Sequence, residues 1–359
     1  MNITIVGAGN VGTQLAVHCA EKGHSVTIYT SKPHLIAKEL YIIDDDDKVF
    51  KTGKISNATS DTKEAFAGAD MLFITMPACC MKDIASKILP YVKKGMKIGL
   101  VPGTGGGECA FRQHIEQGAV VFGLQRVPSV ARLLEYGKKV RATGYRKELH
   151  VGALPGQYVQ ECSDLVSGLF DMPCRVLPNY LNLTLTPSNP ILHTTRLRIL
   201  FKDYDEKIGY NRIPLFYEEW DNESSELLLK CDDEVQQICK ALKEFDLEYV
   251  KSLRVHYESE NAQQLTNKLS GIKGFQGIKA PMIQVEDRFI PDLESRYFTA
   301  DFPYGLAILV QIAEFAGVSV INMTETLEWY YALRKDNTGF RYQDYGIRDI
   351  VAFKQFYMQ

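Results

Sequence analysis

The sequence predicts an α/β fold, with a doubly wound, mostly parallel sheet in an N-terminal domain and an all-helical C-terminal domain. Three observations carry this. Through the first half, short apolar runs alternate with helical patterns, as βαβ units do. After about residue 180, helical periodicity dominates. The chain has 359 residues, 45% of them hydrophobic, enough for two domains with a core each.

The elements follow in order. Ile3, Ile5 and Val6 form the first strand, a glycine turn follows directly, and Gln14 to Glu21 read as a helix with Leu15, Ala16 and Cys19 on its inner face. Ser25 to Thr30 is the second strand, Met71 to Met76 a third apolar run, Lys97 to Val101 a fourth and Val120 to Leu124 a fifth. Lys139 to Thr143 and Leu149 to Leu154 read as a paired segment that extends the sheet at an edge. Tyr180 to Pro190, with its prolines and asparagines, reads as the crossover between domains at 1–182 and 183–359. Helices are predicted at Ile191–Phe201, Ser224–Phe245, Pro303–Ala316, Met323–Leu333 and Ile347–Tyr357. A ligand site is expected between the domains.

The glycine turn reads Gly7, Ala8, Gly9, Asn10, Val11, Gly12. Between a strand and a helix, that spacing is a dinucleotide fingerprint of the Rossmann type. Gly7 permits the tight turn, Gly9 lets backbone approach a pyrophosphate, and Gly12 lets helix pack close on strand. Free N–H groups at the helix start, at Asn10 and Val11, then meet a doubly negative ligand.

The second strand ends Ile28, Tyr29, Thr30, Ser31, Lys32, without the carboxylate that binds a ribose 2′-hydroxyl. Hydroxyls at Thr30 and Ser31 and a cation at Lys32 suit a 2′-phosphate, so NADP(H) is expected in preference to NAD(H). Thr75, Met76 and Pro77 close the third run, where the nicotinamide half belongs, and Pro102 to Gly107 close the fourth. Both loops lie at the carboxyl ends of strands, the ligand edge of such a sheet.

A net charge of −3 with scattered lysines and arginines argues against a nucleic-acid partner. Asp44 to Asp47 read as a solvated loop, and no metal site is expected. Cysteines 19, 79, 80, 109, 162, 174, 231 and 239 form no C-x-x-C pair, as expected of reduced thiols in a cytoplasmic protein. No apolar stretch reaches the ~20 residues of a membrane span, and a strand from residue 2 leaves no room for a signal peptide. The helical domain has enough amphipathic surface for a homodimer. His18, His24, His34, His114, His150 and His256 read as surface or packing residues. Trp220, Trp329, Tyr330 and Tyr331 read as core or subunit contacts, and Glu218 and Glu219 as helix-start charges.

Two later patches carry chemistry. The first is Ser188, Asn189, Pro190, Ile191, Leu192, His193, with Pro190 at a helix start and His193 on its first turn. The second runs from Arg296 to Gly305, with Asp301 as N-cap and Pro303 in the first helical turn. A dehydrogenase acting on a carbonyl or imine needs a proton donor and acceptor beside the hydride path, and histidine serves near neutral pH. A buried Asp would orient it, and an arginine would anchor a substrate carboxylate.

These patches resemble the opine dehydrogenases of the octopine and nopaline type. The matching elements are G-A-G-N-V-G at the N-terminus, N-P-x-x-H at Asn189 to His193, and R-Y-x-x-x-D-x-P-x-G at Arg296 to Gly305. The stretch Leu306 to Val318, ending A-E-F-A-G-V, fits the same pattern. The resemblance spans roughly residues 1–30, 70–130, 185–200 and 293–320. The F-Y-E-E-W segment, Phe216 to Trp220, resembles the branch that makes opine-type metallophores.

The resemblance implies NAD(P)H-dependent joining of an α-keto acid, pyruvate being usual, to an amino acid, with reduction of the imine. It implies His193 as acid/base group, Asp301 as its partner and Arg296 as carboxylate anchor. Asn189 would shape the loop presenting His193, and Thr104 stands where the family often has a glutamine. Ser129 follows Pro128 where the family often has an aromatic. Two other readings stay open. A 2-dehydropantoate-reductase-like enzyme would use a lysine, for which Lys202 lies near the right region, and an NADPH sensor would need no acid/base group at all.

Overall fold

The computed structural model describes residues 1–187 and 189–359; Ser188 of the first patch lies outside the described residues. The chain forms two compact units, Met1–Thr184 with Lys354–Gln359, and Leu185–Phe353.

The first unit has strands β1 (Asn2–Val6), β2 (Ser25–Tyr29), β3 (Glu39–Ile43), β4 (Val49–Lys54), β5 (Asn57–Thr59) and β6 (Met71–Ile74). They continue as β7 (Lys97–Leu100), β8 (Val120–Leu124), β9 (Val130–Glu135), β10 (Lys139–Thr143), β11 (Leu149–Leu154) and β12 (Cys174–Val176). Eight of them make the main sheet in the order β12-β11-β8-β7-β6-β1-β2-β5. All its pairs are parallel except β11 with β8. The central strands are buried on both faces, as continuous apolar runs such as Met71–Ile74 require.

A second sheet, β4-β3-β10-β9, was not expected. Lys139–Thr143 belongs to it, parallel to β3, and only Leu149–Leu154 extends the main sheet. The reason is one-sided burial: Leu40 and Ile42 of β3 and Val140 and Ala142 of β10 alternate with more exposed neighbours and join the same core as Leu15 and Val17. The helix Asn10–Glu21 consequently has every residue from Gly12 to Cys19 buried, including Gln14 and His18.

The second unit holds helices Asn189–Leu200, Asn222–Ala241, Leu253–Tyr257, Ala262–Ser270, Arg296–Thr299, Ala307–Ala316 and Ile321–Arg334. One hairpin, β13 (Met282–Val285) with β14 (Arg288–Pro291), interrupts an otherwise helical unit. Side-chain caps fix several starts: Asp221 accepts from the Ser224 N–H and Asn261 from the Gln264 N–H.

The units divide at Thr184, two residues beyond the expected boundary, and the chain's last six residues group with the first unit rather than the second. There the Asn179 amide donates to the Tyr357 carbonyl at 2.6 Å, and the Gly156 N–H donates to that of Gln359 at 2.9 Å. Among the described residues no helix is long and apolar enough to cross a membrane.

Candidate active site

In the first unit, the turn after β1 opens onto the helix Asn10–Glu21. Gly7 has φ +108°, and a Cβ there would lie 2.8 Å from the Thr75 hydroxyl. A Cβ on Gly12 would lie 2.0 Å from the Gly7 carbonyl, so turn and helix meet without side chains between them. Gly9 is exposed, with nothing within 4 Å of its Cβ direction. No side chain caps this helix start and its first turn carries no acid, which leaves a positive end suited to phosphate. Val11 lies in that first turn. The Asn10 side chain accepts from the Leu133 N–H at 2.8 Å, fixing the turn to β9.

Thr30, just past β2, is buried with its hydroxyl 3.2 Å from that of Tyr136. Ser31 and Lys32 are exposed, and the Lys32 ammonium stands 5.9 Å from the Tyr136 ring centre. Met76 and Pro77 follow β6, with the Met76 sulfur 3.2 Å from the Cβ direction of Gly7. Thr104 is half-buried in the loop after β7. That loop is held from behind: the Tyr180 hydroxyl donates to the Gly103 carbonyl at 3.1 Å. Fully buried Glu108 accepts from the hydroxyls of Thr184 and Tyr357, each at 2.7 Å. Burial pushes the Glu108 carboxyl above its ordinary range. Nothing in the local sequence pattern singled out Glu108, because its partners lie 76 and 249 residues away.

In the second unit the two patches meet. A Cβ on Gly305 would lie 2.9 Å from the Pro190 ring, so the glycine allows close contact between them. His193 Nδ1 lies 2.7 Å from Asp301 Oδ2, and His193 Nε2 lies 2.8 Å from the Tyr217 hydroxyl. His193 is 3% exposed. Its ring packs on Tyr297 at 4.6 Å and on Phe216 at 5.7 Å between centres.

Asp301 precedes the helical segment, as expected, but its side chain makes no cap bond. The backbone explains this. Phe302–Leu306 forms a wide turn in which the Leu306 N–H donates to the Asp301 carbonyl at 2.8 Å, and the Tyr304 N–H donates to Ala300. Pro303 has no N–H to cap. The carboxylate is therefore available to His193.

Tyr217 was not picked out as a site residue, although it lies in the noted segment Phe216–Trp220. Its ring stacks on Phe275 at 4.1 Å and lies nearly parallel to Trp220 at 6.0 Å. Burial raises its phenol above the ordinary range, Tyr297 and Asp301 add to that, and the nearby Arg296 works against it. Arg196 was also missed. It lies one turn beyond His193 and donates from Nε to the Phe216 carbonyl at 3.2 Å. It also donates to Asp221 at 2.6 Å, the Ser224 hydroxyl at 3.1 Å and the Glu219 carbonyl at 2.6 Å. The signal available was an arginine inside a run of residues that the fold buries, Ile191 to Leu197.

Arg296 is exposed at the start of its helix and makes no ion pair among the described residues. Asn189 is exposed at the first position of the helix Asn189–Leu200. Lys202 is held by both Glu223 oxygens, at 2.7 and 2.6 Å. Glu219 pairs with Arg212, whose hydrogen bonds bring its carboxyl down to about 2, and Glu218 accepts from the Gly277 N–H. Trp329 and Tyr330 pack against Phe302.

Comparison with known proteins agrees with both halves. Residues 2–104 match the family model of the NAD-dependent glycerol-3-phosphate dehydrogenase N-terminus. A tauropine dehydrogenase of Arabella iricolor is 24% identical over 91% of this chain and 90% of its own. An opine dehydrogenase of Haliotis discus hannai is 27% identical over 77% and 72%. The solved structure of octopine dehydrogenase with NADH and L-arginine superposes with a TM-score of 0.86 at 22% identity, over 98% of this chain and 97% of that one. Residues 176–334 match the model of the NAD/NADP octopine/nopaline dehydrogenase alpha-helical domain. That stretch contains both patches, and the similarity to the tauropine and opine dehydrogenases runs through most of the chain, so the chain is similar to the opine dehydrogenases along most of its length.

Proposed function

We propose that this NAD(P)-linked opine dehydrogenase condenses pyruvate with an amino acid and reduces the resulting iminium with NADPH in preference to NADH. The observation that carries the reading is the contact of buried His193 with half-buried Asp301 at 2.7 Å. Asp301 holds the imidazole with Nδ1–H toward the carboxylate, so Nε2 is the nitrogen that exchanges protons. Arg296, an exposed guanidinium without an ion pair among the described residues, anchors a substrate carboxylate in bidentate fashion. Asn189 and Thr104 contribute polar contacts to the substrates.

The residues of the first unit suit a nicotinamide dinucleotide, which supplies hydride when bound. Gly7, Gly9 and Gly12 with the backbone of Asn10 and Val11 hold the pyrophosphate, and Met76 and Pro77 border the nicotinamide half. Thr30, Ser31 and Lys32 favour the 2′-phosphate: two of the three are exposed and no acid stands at this strand end. Lys202 is engaged by Glu223, which favours the His–Asp reading over a lysine-based keto-acid reductase. The segment Phe216–Trp220 serves packing and contact with His193, so a metallophore product has no separate support. A homodimer through exposed apolar residues such as Ile208 and Ile321, and a reducing cytoplasm suited to eight free cysteines, complete the reading.

The test is nicotinamide absorbance with pyruvate and a pool of amino acids, each substrate omitted in turn. Oxidation only when both are present supports condensation. Oxidation with keto acid alone would mean simple reduction, and tight NADPH binding without turnover would mean a sensor. His193→Ala is expected to lose roughly 10²–10⁴ in kcat while still binding NADPH; full turnover in that variant overturns the acid/base assignment.

A further inference from the structure

We propose that the Tyr217 hydroxyl is a second proton carrier for opine formation, working through Nε2 of His193. The inference rests on His193 being the acid/base group.

Condensation makes an unusual demand on that group. The amine nitrogen bonds to the keto carbon, the carbon–oxygen bond breaks, and the oxygen leaves as water. An ammonium nitrogen begins with three protons and the iminium keeps one, so two protons end on the departing oxygen, with none gained or lost overall. A reduced nicotinamide, when bound, would supply hydride to the iminium carbon, leaving the secondary amine and the oxidised nicotinamide. Simple keto-acid reduction needs one proton at one oxygen; condensation must relay two from nitrogen to oxygen. With Nδ1 committed to Asp301, one imidazole carries a single transferable proton at Nε2.

Tyr217 removes that limit. While Nε2 is unprotonated it accepts from the Tyr217 O–H, and once protonated it donates to the same oxygen at the same 2.8 Å. A hydroxyl donates and accepts at once, so one proton can leave the pair as another enters and neither group need ionise fully. Burial keeps the phenol protonated in its resting form. The contact is built rather than incidental. The Tyr217 ring is held against Phe275 and Trp220, and Arg196 fastens the carbonyls of Phe216 and Glu219 on either side of it. The helix that presents His193 therefore also fixes its proton partner.

The test is Tyr217→Phe beside His193→Ala, with pyruvate and the amino acid selected by the wild-type screen, in H2O and D2O. Phenylalanine keeps the ring stack, and the melting transition and NADPH binding check folding. Expected for Tyr217→Phe is a kcat lower by roughly 10- to 100-fold, KM values within about threefold, and a larger solvent deuterium effect on kcat, because proton transfer becomes slower than the other steps. A kcat within about twofold of wild type overturns the inference. So does a lower kcat with an unchanged isotope effect, which marks a structural role. If His193→Ala retains turnover, the acid/base reading itself has failed. If His193→Ala is silent and Tyr217→Phe is normal, only the relay has failed.

Discussion

Arg196→Met tests how the site is held together. The guanidinium is 2% exposed and makes hydrogen bonds to Phe216, Glu219, Asp221 and Ser224. Methionine fills a similar volume but gives no donors, so the buried Phe216 carbonyl, the partly buried Glu219 carbonyl and one Asp221 oxygen lose the guanidinium. Removing one member of a buried charge pair costs about 3–5 kcal/mol. Asp221 is 48% exposed, so water takes over part of its solvation and the lower end, about 3 kcal/mol, applies. For a unit of this size each kcal/mol lowers Tm by roughly 2–4 °C, giving a fall of roughly 6–12 °C in a calorimetric scan. Release of the Phe216–Trp220 segment should also lower kcat toward the level of Tyr217→Phe. Arg196→Lys keeps the charge without the planar fork and should fall between the two. If Arg196→Met melts within about 2 °C of wild type and turns over normally, the clamp is not what positions Tyr217.

Lys32→Ala should raise KM for NADPH about tenfold, the equivalent of about 1.4 kcal/mol, and leave NADH nearly unchanged; an equal effect on both cofactors would remove the 2′-phosphate contact. Buried Asp232 accepts from the Leu253 N–H at 2.8 Å, while its other oxygen has no partner among the described residues. Burial raises its carboxyl from 3.8 to about 7, with help from Asp233. The folded form thus binds the proton more tightly than the unfolded chain. That contribution, at most about 4 kcal/mol, is fully present below about pH 4 and is lost as pH rises through about 7. Asp232→Asn should flatten this part of a denaturant-midpoint profile; an unchanged slope would show that Asp232 is ionised throughout.

The fold was legible where burial is two-sided. Met71–Ile74 and Val120–Leu124 are uninterrupted apolar runs, and Ile3–Val6 is broken only by buried Thr4, because central parallel strands are covered on both faces. The second sheet was not legible, because its strands are short and one-sided and find partners far along the chain. Tyr41 in β3 lies opposite Lys139 in β10, a pairing that no local period announces. Residues 354–359 illustrate the same limit. A helix reading reaches Tyr357 correctly, but only the contacts to Asn179 and Gly156 group its end with the first unit.

The candidate site divides along the same line. His193 and Asp301 could be named because each lies in a compact motif, yet Asp301 was given two tasks, cap and partner, and one carboxylate performs only the second. The wide turn at Phe302–Leu306 decides between them by satisfying the backbone without a side chain. Tyr217 and Arg196 have no motif of their own. What links them is that Arg196 follows His193 by one helical turn, so the two side chains emerge on the same face, and a segment beginning 20 residues later lies across both. A buried arginine beside a buried histidine is costly in isolation. It is tolerable here because the carbonyls of Phe216 and Glu219 and the carboxylate of Asp221 satisfy it, and satisfying it is what brings the Tyr217 hydroxyl to Nε2. The charge that looks misplaced in the helix thus sets the geometry of the proposed proton path, and its loss should be felt first in turnover rather than in cofactor binding.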